Sequence, residues 1–280
     1  MAKKTDRKKR GLTGNLFYCL LVVLLIGVAT YPFISDQLLS QRQQAAIDNY
    51  DQQTGKMSAK KYLLHLYHLQ DHQTKITDAD PFTQQRKSKS TVNVALSQLN
   101  TVAVLAIPKI KLQLPVFDTV SETALDNGAG LLNGASDLAG NGKGKNLVIL
   151  GHSGLSIAKL FTNLPRLKVG DKFYLKIHGK IRAYRVDKLR TVLPSKMLPY
   201  LQATAGKNYA TLVTCVPLFI NTHRLLVRGH RIPYHEEKIV RNSLSPFAWA
   251  LIITVAILAL VLLLHWWSKR KIKKRHQIRN

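Results

Sequence analysis

The chain has 280 residues, 42 Lys+Arg against 15 Asp+Glu, a formal charge of +27, 46% hydrophobic residues, 16 Gly, 10 Pro and two Cys. That apolar content excludes a disordered chain, and the glycine and proline counts exclude a collagen-like one. Two uncharged apolar runs, residues 16–34 and 247–267, each match the roughly 20 residues a helix needs to cross a bilayer and argue against a purely cytoplasmic soluble protein.

Residues 1–15 form a basic tail in which six of the first ten positions are Lys or Arg. Residues 16–34 then read as a signal-anchor span. Gly27-Val28-Ala29 has the small-x-small spacing of a cleavage site, but the apolar run continues past it, so the segment reads as retained. Residues 35–77 form a polar helical stalk, with Tyr62, Leu63, Leu66, Tyr67 and Leu69 at amphipathic spacing. In this stalk His65, His68 and His72 fall at i, i+3 and i+7, a spacing that a metal could use but that reads as a solvated helix face. Residues 78–90 are a polar loop interrupted by Asp80-Pro81-Phe82.

From residue 91 to 240 the period shortens toward strand. Short β-branched segments separated by Gly, Pro or Asn predict strands over 102–107, 112–117, 147–150, 173–177, 181–186, 189–192, 209–215 and 225–231. The segment 173–186, turning at His178-Gly179-Lys180, is the clearest hairpin, and residues 157–161 read as a short helix. Eight strands in so short a stretch predict a mainly β fold, closed as a barrel or stacked as a sandwich. Residues 247–267 are the second span, bracketed by Trp249, Trp266 and Trp267, and residues 268–280 carry seven further basic residues. Lys/Arg clusters beside a span stay in the cytoplasm, so both termini read as cytoplasmic and the central domain as extracellular. Tail charge that sets topology needs no nucleic-acid partner. The basic outer domain would be drawn instead to anionic cell-wall polymers or acidic protein surfaces, and the spans to membrane lipid.

Cys19 lies inside the first predicted span and cannot meet Cys215, so there is no disulfide framework. A lone Cys215 is a buried hydrophobe or a reactive thiol. Thr211-Leu212-Val213-Thr214-Cys215 is an apolar strand ending on that thiol, and Arg224 follows nine positions later. If the next strand returns antiparallel from about His223, Arg224 lies beside Cys215, whereas Arg228 is about 13 Å further along. A guanidinium there stabilises a thiolate and a developing oxyanion. His152, between Gly151 and Gly154 at a predicted strand end, has the setting of an acid/base group or of an ordinary loop histidine. His223 is its nearest rival, but its side chain points to the opposite face of the strand from Arg224.

These residues carry a resemblance. Thr211 to Cys215, followed by Ile220-Asn221-Thr222-His223-Arg224 and Val227-Arg228-Gly229, resembles the signature of sortases of the pilin-polymerising class C. Ile107-Pro108-Lys109-Ile110, Leu114-Pro115-Val116-Phe117, Gly128-Ala129-Gly130, Gly151-His152-Ser153-Gly154-Leu155 and Gly170-Asp171-Lys172-Phe173-Tyr174 extend it over residues 78–232.

The resemblance implies an eight-stranded sortase β-barrel with short helices, Cys215 as nucleophile, His152 as acid/base and Arg224 as the third catalytic residue. It also turns Asp80, Pro81 and Phe82 into a lid, with Asp80 pairing Arg224 in a partly exposed ion pair and Phe82 covering the Cys215 sulfur. The implied activity is cleavage of a Leu-Pro-X-Thr-Gly-like sorting signal through a thioacyl intermediate and its transfer to a pilin lysine amine, with no metal or cofactor. Attachment of surface proteins to cell-wall peptide is the alternative within the family. A non-catalytic membrane-tethered adhesion or scaffolding module is the alternative outside it. The sequence departs from the class C pattern in three places: Val216-Pro217-Leu218-Phe219 stands where Thr-Pro-Tyr-Gly is usual, Leu131 replaces a His, and Ser153 replaces an Arg.

Overall fold

The computed structural model describes residues 3–58, 60–62, 64, 80, 82, 99–132, 138, 144–154 and 160–235, with few side chains before Ile34. The chain divides into two compact units, one of residues 1–37 and 240–280 and one of residues 38–239. In the first, the described backbone belongs to helix α1 (Lys3–Lys56), which contains residues 16–34. Among the described residues no helix is long and apolar enough to cross a membrane. The second predicted span, the basic tail after it, His65, His68, His72 and Pro81 all lie outside the described residues.

In the second unit the chain builds eight strands. β1 (Thr101–Ile107) turns through a 3-10 segment, Pro108–Ile110, into β2 (Leu112–Phe117). A short helix α2 (Glu122–Asn127) leads into β3 (Ala129–Leu131) and β4 (Lys145–Leu150). A second 3-10 helix, Leu160–Arg166, precedes β5 (Lys172–Ile177), β6 (Lys180–Val192), β7 (Asn208–Val216) and β8 (His223–Ile232). The strands close in the order β1-β2-β3-β4-β7-β8-β6-β5. Closure through β1 and β5 leaves no open edge among the described strands.

The β5–β6 turn has the predicted chemistry. Ile177 pairs with Lys180, and the two residues between them, His178 (φ 47°) and Gly179 (φ 71°), both lie at positive φ. A two-residue loop of that kind matches the right-handed twist of the flanking strands. Predicted segments 181–186 and 189–192 are one strand, β6, whose register slips between Val186 and Lys188. The extra residue of this bulge breaks the alternation that sequence reading relies on. β3 escaped prediction because three residues containing a glycine carry no period. Of the predicted helix at 157–161, residues 160 and 161 belong to the 3-10 segment Leu160–Arg166 and residues 157–159 lie outside the described residues.

Two buried clusters explain the sequence of β7. Ala210 and Leu212 join Leu105, Phe161, Phe173 and Val227 in the main core. Val213 and Cys215, on the alternate face, join Leu125, Val148, Leu150, Met197, Leu201 and Leu226 in a second cluster. Strands buried on both faces read as unbroken apolar runs, as parallel neighbours such as β4 and β7 usually do. Cys215 is therefore on the face of β7 away from the main core.

The described residues of the predicted stalk from Leu38 onward belong to this unit. Leu39, Ile47 and Tyr50 share one face of α1 and are buried with Tyr62 in the main core. The phenol hydroxyls of Tyr50 and Tyr62 both donate to the Val102 carbonyl, at 3.1 and 2.8 Å, and the His178 amide donates to the Tyr50 hydroxyl at 2.8 Å. Burial pushes both phenols above their ordinary range, so they remain neutral donors. Ser58 starts the next helical segment by accepting from the Lys61 amide.

Candidate active site

The antiparallel register of β7 and β8 sets Cys215 directly opposite Arg224. Opposed residues share a face of the sheet with Cβ atoms about 5 Å apart. Arg228 pairs instead with Thr211, where its guanidinium forks onto Asp187 (2.9 and 3.1 Å) and lies 4.2 Å from the Tyr209 ring centre. His223 pairs with Val216, and its Nδ1 lies 2.9 Å from the exposed Thr222 hydroxyl. Cys215 is a buried thiol.

His152 follows the end of β4, which runs parallel to β7 with Leu150 beside Val213. Three hydrogen bonds tie the two strand ends together. The Gly151 amide donates to the Val213 carbonyl at 3.1 Å, the Thr214 hydroxyl donates to the Gly151 carbonyl at 2.7 Å, and the Ser153 hydroxyl donates to the Cys215 carbonyl. Ser153, one of the departures from the family pattern, thus anchors the backbone of the thiol-bearing residue. Gly151 is required by packing: a Cβ there would stand 2.7 Å from the Phe161 ring, and the Phe161 amide donates back to the His152 carbonyl.

Asp80 and Phe82 lie in this site. Arg224 donates from Nε to Asp80 Oδ1 at 3.2 Å and from Nη2 to Oδ2, while its Nη1 donates to the carbonyls of Asn221 and His223. Both side chains are only 4% exposed, so the pair is buried rather than partly exposed. Removing one member of such a pair strands a charge and costs about 3–5 kcal/mol, far more than the ~0–1 kcal/mol of a surface pair. Phe82 is buried in the same cluster as Cys215. Its ring centre is 6.0 Å from that of His152 and 5.1 Å from the Arg224 guanidinium carbon. Asp80 and Phe82 between them therefore contact both the guanidinium and the imidazole.

Sequence reasoning missed Asp126. Its Oδ1 lies 3.8 Å from His152 Nε2, and burial, followed by the nearby charge of Glu122, raises its carboxyl above the usual carboxylate range. The signal was present: Ser121 caps α2 by accepting from the Ala124 amide, Gly128 ends it, and Asp126 falls in its last turn. Asp126→Asn is expected to move the His152-dependent limb of the pH–rate profile to lower pH, since the carboxylate favours the imidazolium. The variant should not lose stability. A carboxyl whose pKa is raised by folding costs stability above that raised value and none below its unfolded value near 3.8. The Asp126→Asn variant should therefore match or exceed the parent in urea denaturation at pH 7, the difference vanishing as pH falls below that window.

Comparisons with known proteins agree with this geometry. Residues 105–232 match the family model of the sortase domain. Sortase A of Bacillus anthracis is 31% identical over 170 residues, spanning 60% of this chain and 76% of that protein. Among solved structures, sortase C-1 from Streptococcus pneumoniae is 37% identical with a TM-score of 0.57, covering 68% of this chain and 98% of that one. A pilus-related sortase C of Group B Streptococcus is 37% identical with a TM-score of 0.54, covering 65% and 94%. The match to the sortase domain and to these relatives shows that the chain belongs to the sortase family of cysteine transpeptidases, with class C sortases among its structural neighbours.

Proposed function

We propose that this chain is a membrane-anchored, pilus-assembling sortase that acts on a pilin or surface protein bearing a Leu-Pro-X-Thr-Gly-like signal. The observation that carries the proposal is the pairing of Cys215 with Arg224, with Asp80 bound to that guanidinium and Phe82 buried in the cluster that contains Cys215. In the proposed mechanism the Cys215 thiolate attacks the Thr carbonyl, a tetrahedral oxyanion forms, and the Thr–Gly bond breaks to leave a thioester. His152 protonates the departing Gly amine and then accepts a proton from the incoming lysine amine, whose nitrogen displaces the sulfur. Arg224 stabilises the oxyanion at each tetrahedral stage. Its Nη1 is committed to the Asn221 and His223 carbonyls, so Nε and Nη2 are the donors turned toward the oxyanion. In the closed site the Asp80 carboxylate occupies those two donors, standing in for the negative oxygen. Asp126 favours the imidazolium of His152.

The apolar runs at 16–34 and 247–267, with their basic flanks, support anchoring at both ends of the chain, cytoplasmic termini and an extracellular barrel. Lipid then surrounds the anchors, and pilins are the protein partners. The test is a competition between acceptors. With a sorting-signal peptide as donor, product formed on an Nα-blocked lysine is expected to exceed product formed on triglycine. Transfer confined to triglycine would overturn the pilin reading in favour of attachment to cell-wall peptide.

A further inference from the structure

Far from the thiol, the barrel carries a concave basic groove of about 770 Å³. Asn208 lines it at the start of β7 and Arg231 near the end of β8. Each is seven residues along its strand from Cys215 or Arg224, a run of about 23 Å at the strand rise. Its position follows from strand alternation. On β6, Arg182 continues the row of Tyr184 and Val186, and on β8, Arg231 continues the row of Leu225 and Val227. Two core rows thus run out, where the barrel ends, onto guanidinium groups. Lys207, just before β7, lines the same groove.

Among the described residues these three cations lack a carboxylate partner. Arg182 donates to the Leu138 carbonyl, and neither Lys207 nor Arg231 takes part in any ion pair among those residues. The one acid lining the groove is Asp187, and both its oxygens are bound by Arg228. His230 Nδ1 stands 3.7 Å from Asp187 as a further positive group when protonated. Arg182, Lys207 and Arg231 belong to three adjacent chain segments in the order β7-β8-β6. Neighbouring strands are about 4.8 Å apart, so the cations span about 10 Å, wider than a single phosphate. Being concave, the groove admits a chain and not a flat lipid surface.

We infer that this groove binds a phosphodiester polyanion, with Arg182, Lys207 and Arg231 each meeting a phosphate oxygen by a charge-assisted hydrogen bond. Such a site holds the barrel on an anionic polymer while the thiol, some 23 Å away along the same strands, stays free for substrate. The inference is independent of how the thiol is used.

The test uses the full chain in mild detergent, a glycerol-phosphodiester oligomer as probe, and vesicles of phosphatidylglycerol in phosphatidylcholine as the competing source of phosphate. The oligomer is expected to bind, with affinity falling as salt rises. A Lys207→Ala/Arg231→Ala variant is expected to bind about tenfold or more weakly, with cleavage of a sorting-signal peptide unchanged. A Lys109→Ala/Lys111→Ala variant, which removes the same charge elsewhere on the barrel, should bind as the parent does. Should the alanine pair fail to fold, Lys207→Glu alone, at an exposed position, is expected to show the same loss. Equal binding by parent and groove variants, an equal loss in the Lys109/Lys111 control, or binding to the vesicles alone would overturn the assignment.

Discussion

Arg224→Lys is expected to lower kcat/KM for a sorting-signal peptide by about 10²–10³-fold, the loss seen when one oxyanion donor is removed, whereas Arg228→Ala should retain near-parental activity. The reason is geometric. Arg224 uses its whole fork, with Nη1 bound to the backbone of the β7–β8 connection and Nε and Nη2 facing the site. A lysine ammonium keeps the charge but is a point donor that cannot serve both roles. Arg228 sits opposite Thr211, bound to Asp187 and stacked near Tyr209, so its removal should cost about 1 kcal/mol of stability and no chemistry. Parental activity in Arg224→Lys, with Arg228→Ala inactive, would assign the oxyanion role to the other arginine.

The second large effect concerns the proposed cover over the thiol. An Asp80→Ala/Phe82→Ala variant is expected to react with a small thiol reagent at least about tenfold faster at Cys215 than the parent. Two contributions would hold such a cover: the buried Asp80–Arg224 ion pair, with Arg224 4% exposed, and the Phe82 ring, buried in the cluster that contains Cys215. Burial of the ring contributes about 1.5–3 kcal/mol, and about 1.4 kcal/mol already corresponds to a tenfold change in open population. Asp80→Asn should give a smaller rise, because the amide still accepts from the guanidinium while its charge is gone. Unchanged alkylation in the folded double variant would mean that this segment does not guard the thiol.

Much of this was legible from residues, and the rest has identifiable physical reasons. β2 carried enough alternation and turn chemistry to be read to its ends, 112–117, and the hairpin at His178-Gly179 was announced by its turn. β6 was split in two because its bulge interrupts the period. The pairing of Cys215 with Arg224 followed from counting residues across one antiparallel return, which needs no tertiary knowledge. Burial of the Asp80–Arg224 pair was not legible, because it rests on long-range packing: Phe82, two residues from Asp80, joins a cluster drawn largely from β4, β7, β8 and the segment around Met197. Asp126 was hidden for a related reason. Its nearness to His152 depends on how α2 and β3 lie against β4, a long-range fact that helix caps alone do not reveal. Ser153 looked like a departure from the family pattern until its hydroxyl was seen to hold the Cys215 carbonyl.

The central claim is that Cys215 forms a thioester with the sorting signal, and the intact mass of the protein tests it most directly. The full chain and the Asp80→Ala/Phe82→Ala variant would each be incubated with a Leu-Pro-X-Thr-Gly peptide and no acceptor amine. The expected result is a mass increase equal to the peptide acyl group up to Thr, with the Gly amine released. The adduct should map to Cys215, be discharged by hydroxylamine and be absent in Cys215→Ala. An adduct on another residue, or none in the opened variant while the peptide is still cleaved, would contradict the account.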